Sequence, residues 1–138
     1  MTTWMVVEDE PDLYDMVLAM YDTLGVNGVA FATGEEAMEW IEAIDDGHFH
    51  DEIPELALID IRLPGDINGP MVGARMRKSP MLKNTAIALM TAYKLNPTEE
   101  RQMMHYSKSD KLFYKPLPPI HEFEAILRRL IAVRNRRG

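Results

Sequence analysis

The stretch Leu56-Ala57-Leu58-Ile59-Asp60 decides the fold. Its four apolar residues run without a polar interruption and end in a carboxylate. This pattern predicts a short strand buried on both faces, because a strand with one exposed face would alternate apolar and polar residues. The run Ala86-Ile87-Ala88-Leu89-Met90-Thr91 has the same character and ends in a hydroxyl. Together the two runs predict the centre of a parallel sheet covered by helices.

Weaker strand signals surround this centre, and helical patterns alternate with the strands. The further predicted strands are Trp4–Val7, Val29–Phe31 and Leu112–Tyr114. Helix starts are marked by Pro11, by the capping pair Thr33 and Glu36, and by Asn96 before Pro97. Five such units predict an α/β fold with one five-stranded parallel sheet and helices on both faces.

Composition excludes several classes of function. The 138 residues include no cysteine, which rules out disulfides, thiolate metal sites and a cysteine nucleophile. The sequence shows neither a membrane-length apolar run nor a signal-like N-terminus, so we expect a cytoplasmic chain without a membrane partner. The net charge of −7 argues against direct nucleic-acid binding and suits a cation held among carboxylates.

Reactive side chains stand at the carboxyl ends of four predicted strands. They are Glu8 and Asp9, Asp60, Thr91, and Lys115. Each of them, taken alone, is more often a cap, strand filler or solvated surface group. Because ligands of open α/β sheets bind beyond the carboxyl ends of the strands, the joint pattern predicts one shared site.

The chemistry of such a cluster favours Mg²⁺ and phosphoryl transfer. Neighbouring carboxylates repel one another unless a cation lies between them, and Mg²⁺ prefers oxygen ligands. A lysine and a hydroxyl nearby would bind phosphoryl oxygens. Asp60 is the best candidate nucleophile for an aspartyl phosphate, since it ends the most apolar strand. Ala92, after Thr91, is small enough to leave the phosphoryl group an approach.

The chain resembles the receiver domains of two-component response regulators. The resemblance is carried by Met5–Pro11, Leu58–Gly65, Leu89–Ala92 and Tyr114–Pro116, in the family's order, and extends from Thr3 to about Val133. It implies a single doubly wound, flavodoxin-like domain with strand order 2-1-3-4-5. We expect the receiver domain to span residues 1–134 and residues 135–138 to be a basic tail or a linker stub.

The resemblance also implies how the metal and the phosphoryl group are held. Asp60 would accept the phosphoryl group from a sensor histidine kinase or a histidine phosphotransfer protein. Mg²⁺ would be bound by Asp9 and Asp60, by Glu8 through water, and by the backbone carbonyl of Arg62.

Three further positions would make the domain a switch. Thr91 would move toward the phosphoryl group and pull the loop that begins at Ala92. Lys115 would contact a phosphoryl oxygen, and its bond to Pro116 would be cis. The readout would lie on the face built from the last two helices and the last strand, where an unknown downstream protein or a second copy of the chain would bind. The domain would catalyse its own phosphorylation and dephosphorylation without being a turnover enzyme.

The sequence departs from the family at three places. Leu112 replaces the common aromatic residue three positions before the lysine, so the usual inward swing of a ring is in question. We interpret Leu112 as an apolar surface residue at a partner interface. The loop from Leu63 to Gly69 is one residue longer than the commonest form, and we expect Gly69 to supply the turn before the next helix. The acidic loop contains His48-Phe49-His50, for which transition-metal binding is a minor alternative to solvation.

Two other functions compete with the switch. A phosphatase with an aspartyl nucleophile would usually carry a second aspartate two residues later, where this chain has Arg62. A receiver-like interaction module that never meets phosphate would typically lose the acids or the lysine, and this chain retains them. Leu112 is the feature that favours such a module.

Overall fold

A computed structural model describes residues 2–48 and 52–137, which form alternating strands and helices. The strands are β1 (Thr3–Val7), β2 (Asn27–Phe31), β3 (Leu56–Asp60), β4 (Ala86–Thr91) and β5 (Lys111–Tyr114). The helices are α1 (Pro11–Thr23), α2 (Gly34–Asp45), α3 (Gly69–Lys78), α4 (Pro97–Ser107) and α5 (Ile120–Arg137). No helix in these ranges is long and apolar enough to cross a membrane.

The strands form one parallel sheet in the order β2-β1-β3-β4-β5, which confirms the predicted doubly wound, flavodoxin-like fold. Val7 pairs with Ile59, and Asp60 pairs with Met90, so three neighbouring strands end at the same edge. The chain turns to opposite sides of β1 when it forms β2 and β3. A crevice opens at such a reversal of strand order, and ligands of this fold class bind there.

The core lies in two layers, one on each face of the sheet. Successive residues of β1 alternate between them, with Trp4 and Val6 in the layer packed by Val17 of α1 and Phe123 of α5. Met5 and Val7 enter the other layer, which holds buried residues of α2 and α3. Every residue of β1, β3 and β4 is buried, as the uninterrupted apolar runs predicted. Burial of each large apolar side chain contributes about 1.5–3 kcal/mol, so these strands form the most strongly held part of the sheet.

Helix termini follow the predicted signals with one difference in detail. Asn96 and Glu99 form a reciprocal capping box at the start of α4. Thr33 caps α2 by accepting a hydrogen bond from the Glu36 backbone N–H, while its hydroxyl donates to the Glu36 carboxylate. The partner of Glu36 is therefore the Thr33 hydroxyl. Gly25, with φ of +73°, follows the end of α1 as predicted.

Three strands begin earlier than predicted, two of them at residues that form strands poorly. β1 begins at Thr3, β2 at Asn27 and β5 at Lys111. Asn27 lies opposite Thr3 of β1, and its backbone N–H donates to the carbonyl of Thr2. A neighbouring strand can override weak intrinsic propensity in this way.

The basic C-terminal segment belongs largely to α5. Arg134 donates to Asp110 and to the carbonyl of Lys83, which ties the helix to the sheet. The helix continues to Arg137, and the assignment of residues 135–138 to a tail or linker stays a prediction. The metal alternative for His48-Phe49-His50 concerns residues 49–51, which lie outside the described residues.

Candidate functional site

The carboxyl edge of the sheet brings the predicted site residues together. Glu8, Asp60 and Thr91 are 1%, 6% and 1% exposed, whereas Asp9 is an exposed residue. One carboxylate oxygen from each of Glu8, Asp9 and Asp60 lies within 4.8 Å of the other two. The described part of the chain thus has three carboxylates in one cleft, at the place where the strand order reverses.

Lys115 connects two of these carboxylates. Its Nζ donates to Glu8 Oε1 at 2.7 Å and to Asp60 Oδ1 at 3.0 Å. Burial alone would lower the pKa of Lys115, but the hydrogen bonds to Glu8 and Asp60 and their charges outweigh it and raise the pKa. The lysine is therefore a fixed cation whose Nζ lies between the carboxylates of Glu8 and Asp60.

The cleft has more negative than positive charge. Burial and, next, the charge of Glu8 together raise the pKa of Asp60 to about 6, although Lys115 opposes the shift. One lysine does not neutralise three carboxylates, so a second cation would stabilise the ionised cluster. The donors are oxygens, which suits a hard ion such as Mg²⁺. The three carboxylates therefore fit a divalent cation.

Glu8 is more constrained than the sequence suggests. Its Oε1 accepts from Lys115, and its Oε2 accepts from the backbone N–H of Glu10 at 3.1 Å. Glu10 in turn caps α1 through its own carboxylate, which accepts from the N–H groups of Asp12 and Leu13. Direct ligation by Glu8 would disturb one of its two hydrogen bonds, which favours contact with a cation through water.

The hydroxyl of Thr91 is bound to its own loop. Thr91 Oγ1 accepts from the backbone N–H of Tyr93 at 3.1 Å and lies 3.4 Å from the Tyr93 carbonyl oxygen. Ala92 between them is exposed, which leaves open space beside the site. A threonine that turned toward Asp60 would release the Tyr93 backbone and change the conformation of this loop.

A cation–π contact joins two loops at the site, and the sequence reasoning missed it. The Arg62 guanidinium carbon lies 3.7 Å from the centroid of the Tyr93 ring. Arg62 follows Asp60 by two residues, and Tyr93 follows Thr91 by two. Because β3 and β4 are adjacent, this equal spacing was the signal available in the sequence. The contact helps to fix the segment that carries the Arg62 carbonyl, a predicted metal ligand.

The backbone at Lys115, directly after β5, borders the carboxylate cleft. The Lys115–Pro116 peptide bond is cis, and the Lys115 N–H donates to the carbonyl of Thr91 at 2.8 Å.

Leu112 is half-buried and packs against the core layer on the α2 and α3 side. Phe113 points to the opposite layer and contacts Phe123 edge-on, with ring centroids 4.9 Å apart. Leu112 thus lies at the boundary between core and surface, and its place at a partner interface stays a prediction.

Gly69 has a different role from the one expected. It is the first residue of α3, and its φ is not in the left-handed region. A Cβ at this position would collide with the carbonyl oxygen of Asp60. Close approach of α3 to the backbone of Asp60, and not a left-handed turn, therefore requires glycine here.

Comparison with known proteins agrees with this fold. The model of the response regulator receiver domain family matches residues 4–123. A CheY-like response regulator receiver domain protein from Methanospirillum hungatei JF-1 has a similar structure, with 22% identity, a TM-score of 0.79, and coverage of 100% of this chain and 99% of that chain. The curated proteins contain no match.

Two further similar structures contain a metal ion or were activated with BeF₃. The receiver domain of sensor histidine kinase PA1611 from Pseudomonas aeruginosa PAO1, with magnesium in its active site cleft, is 23% identical at a TM-score of 0.75, covering 95% of this chain and 98% of that chain. The BeF₃-activated N-terminal receiver domain of Klebsiella pneumoniae RstA is 22% identical at a TM-score of 0.74, covering 94% and 98%. These likenesses show the fold. Because the family model spans most of the sequence, the chain belongs to the response regulator receiver domain family of two-component systems.

Proposed function

We propose that this chain is a phosphorylation-dependent switch in which Asp60 accepts a phosphoryl group from a sensor histidine kinase or a histidine phosphotransfer protein. The observation that carries the proposal is the contact of Lys115 Nζ with both Glu8 and Asp60 at the carboxyl edge of the sheet. Members of the family act as signalling switches and not as classical turnover enzymes. The buried Asp60 is held in place by the most apolar strand, as a positioned nucleophile requires.

Mg²⁺ is the cofactor that the residues fit. Asp9, Asp60 and the backbone carbonyl of Arg62 would hold it, with Glu8 contributing through water. Bound Mg²⁺ would offset the negative charge that gathers when a phosphoryl group approaches the carboxylates. The magnesium reported in the cleft of the PA1611 receiver domain supports this assignment.

The transfer itself needs little from the protein beyond position and charge. A carboxylate oxygen of Asp60 attacks the phosphorus of a phosphorylated histidine in the donor. The phosphorus–nitrogen bond breaks, and its electron pair remains on the imidazole of the donor. Lys115 stabilises a phosphoryl oxygen from its position 3.0 Å from Asp60 Oδ1.

The new charge at Asp60 would change the loop after β4. The Thr91 hydroxyl exchanges its hydrogen bonds with the Tyr93 backbone for one to a phosphoryl oxygen. The loop then carries the change to α4, and the face formed by α4, β5 and α5 presents it to a downstream protein or to a second copy of the chain. The net charge of −7 favours a protein over a nucleic acid as the reader.

The phosphatase alternative fits the geometry less well. The side chain two residues after Asp60 is a guanidinium that stacks on Tyr93, and a guanidinium stays protonated at neutral pH. It cannot supply the proton that a leaving alcohol needs.

Intact-mass measurement after incubation with a small acyl phosphate and Mg²⁺ tests the proposal. We expect one added phosphoryl group on the wild type, and none on Asp60→Asn or after chelation of Mg²⁺. Asp12→Asn, which removes an exposed carboxylate at the start of α1, is the matched control and should behave as the wild type. Phosphorylation of Asp60→Asn at the wild-type rate would contradict the site, and repeated phosphate release from simple esters would favour a phosphatase. Absence of uptake, with Mg²⁺ bound, would favour the interaction module.

A further inference from the structure

The lengthened loop between β3 and α3, residues 61–68, rests on the first turn of α2. The backbone N–H of Asp66 donates to Glu35 Oε2 at 3.0 Å. Gly65, with φ of +82°, brings the chain so close that a Cβ there would meet the same carboxylate. The Glu35 oxygen thus accepts this backbone N–H at an ordinary hydrogen-bond distance. The side chain of Glu35 therefore ties this loop to a helix that carries none of the proposed site residues.

The residue before Glu35 makes the contact a close one. A Cβ at Gly34 would lie 2.6 Å from the carbonyl oxygen and from Cγ2 of Ile67. Gly34 is buried, so the helix backbone and the loop are in direct contact. Gly34 and Glu35 together form the surface on which the middle of the loop lies.

Both ends of the loop are fixed by the elements it joins. The N–H of Ile61 donates to the carbonyl of Met90 at 2.8 Å, and the N–H of Gly69 donates to the carbonyl of Ile61 at 3.0 Å. Asn68 caps α3 by accepting from the Met71 N–H. The extra residue of the loop lies between these fixed ends, where α2 supplies the contact. Without that contact the segment after Arg62 would have more conformations to lose when its carbonyl binds an ion.

We propose that Glu35 is a positioning residue for the Mg²⁺ site. By holding the Asp66 N–H it restricts the loop that carries the Arg62 carbonyl, and it raises the affinity for Mg²⁺ without touching the ion. This rests on the proposed function, which supplies the ion and its ligands. The acceptor oxygen of Glu35 is what matters, and its charge is secondary.

Mg²⁺ titration by calorimetry, together with amide hydrogen exchange, tests the role of Glu35. We expect Glu35→Ala to raise the Kd for Mg²⁺ about threefold to tenfold, less than loss of a group bonded directly to a ligand side chain. Glu35→Gln keeps an acceptor oxygen and should stay within about twofold of the wild type. Glu39→Ala removes an exposed carboxylate from the same helix and should leave the Kd unchanged. Exchange of the Asp66 N–H should quicken in Glu35→Ala and remain slow in Glu35→Gln.

The outcomes separate this proposal from the one on which it rests. A wild type that binds no Mg²⁺ overturns the metal site and this proposal together. Normal binding by the wild type with an unchanged Kd in Glu35→Ala overturns the role of Glu35 alone. Equal weakening in Glu35→Ala and Glu35→Gln also overturns it, because the effect would then come from charge. Unchanged exchange of the Asp66 N–H in Glu35→Ala would show that the hydrogen bond does not hold the loop.

Discussion

β1, β3 and β4, at whose ends the proposed phosphorylation site lies, are held much more firmly than α4 and β5 of the proposed readout face. All residues of β1, β3 and β4 are buried, whereas Phe113 is the buried residue of β5 and Ser107 that of α4. Elements with few buried contacts open and shift at low cost in free energy. The difference teaches that the proposed site lies on the rigid centre of the sheet. The proposed readout involves elements that a new charge at the site can shift at lower cost in free energy.

A polar clamp at the opposite edge of the sheet limits that movement. Arg77, at the end of α3, donates from Nε to the carbonyl of Lys108 at 2.9 Å and from Nη2 to Asp110 at 3.0 Å. Its Nη1 donates to the carbonyls of Lys83 and Thr85. Arg77 thus anchors the chain between the end of α4 and the start of β5, at the sheet edge opposite Asp60.

The largest effect on the free energy of unfolding is expected from Gly69→Ala, which disturbs the packing of α3 against the end of the rigid strand β3. A Cβ at Gly69 collides with the Asp60 backbone, so the variant should lose about 4 kcal/mol of the free energy of unfolding, measured with urea. Gly25→Ala is the control, because a Cβ at Gly25 meets open space and only the positive φ opposes it. We expect a loss of about 1 kcal/mol there. Equal losses in the two variants would contradict the close contact between α3 and Asp60.

Arg77→Ala should loosen the readout side by removing the clamp. The side chain of Arg77 is 5% exposed, and its loss leaves Asp110 and three carbonyls with one partner fewer. We expect a loss of about 3 kcal/mol in urea unfolding and faster amide exchange in α4 and β5 than in β3. Arg75→Ala, which breaks a more exposed ion pair with Asp45 on the same helix, should lose less than about 1 kcal/mol. Faster exchange in β3 alone would contradict the anchoring of α4 and β5 by Arg77.

Asp60→Asn should stabilise the protein when Mg²⁺ is absent. The pKa of Asp60 is raised to about 6 by burial and by Glu8, so the folded chain binds its proton more tightly than the unfolded chain, whose aspartate has a pKa of about 3.9. The stability that this proton provides is complete below about pH 4 and is lost as the pH rises through 6. At pH 7.5 the variant should therefore exceed the wild type by about 2 kcal/mol, less than the full pKa difference implies, since solvent screens the site.

Urea unfolding with a chelator present, at pH 4 and at pH 7.5, measures this effect. The difference between Asp60→Asn and the wild type should nearly vanish at pH 4. Added Mg²⁺ should stabilise the wild type far more than the variant, because the ion loses a charged ligand in Asp60→Asn. A wild type as stable as the variant at pH 7.5 without Mg²⁺ would contradict the excess negative charge assigned to the cleft.

The smallest effect is expected from Leu112→Ala. Leu112 is half-buried, so truncation should lower the free energy of unfolding by about 1 kcal/mol. The rate of phosphorylation by a small acyl phosphate should be unchanged, because Leu112 does not belong to the cleft. Phe113→Ala, on the same strand and 6% exposed, should lose about 3 kcal/mol. A Leu112→Ala variant that is phosphorylated much more slowly would place the residue in the path between the site and the readout face.

The pattern of apolar residues was enough to predict the sheet, because a strand that is buried on both faces has a continuous apolar run, as β3 and β4 have. The same patterns predicted that the carboxylates and Lys115 lie at one edge of the sheet, since the carboxyl ends of parallel strands coincide. Contacts between segments far apart in the sequence could not be predicted from the patterns of apolar residues. The bond from Asp66 to Glu35 and the clamp at Arg77 depend on how loops and helices fold onto one another. Periodicity carries no information about such contacts. For the Arg62–Tyr93 stack, the equal spacing after β3 and β4 was the signal in the sequence.

Amide hydrogen exchange with and without beryllofluoride, in the presence of Mg²⁺, tests the central claim most directly. Fluorine NMR confirms that beryllofluoride is bound. We predict that exchange changes in the loop after Thr91, in α4 and in β5, while the slow exchange of β1 and β3 stays as it was. Bound beryllofluoride with no change in α4 and β5 would contradict the claim that charge at Asp60 is read out on the face formed by α4, β5 and α5.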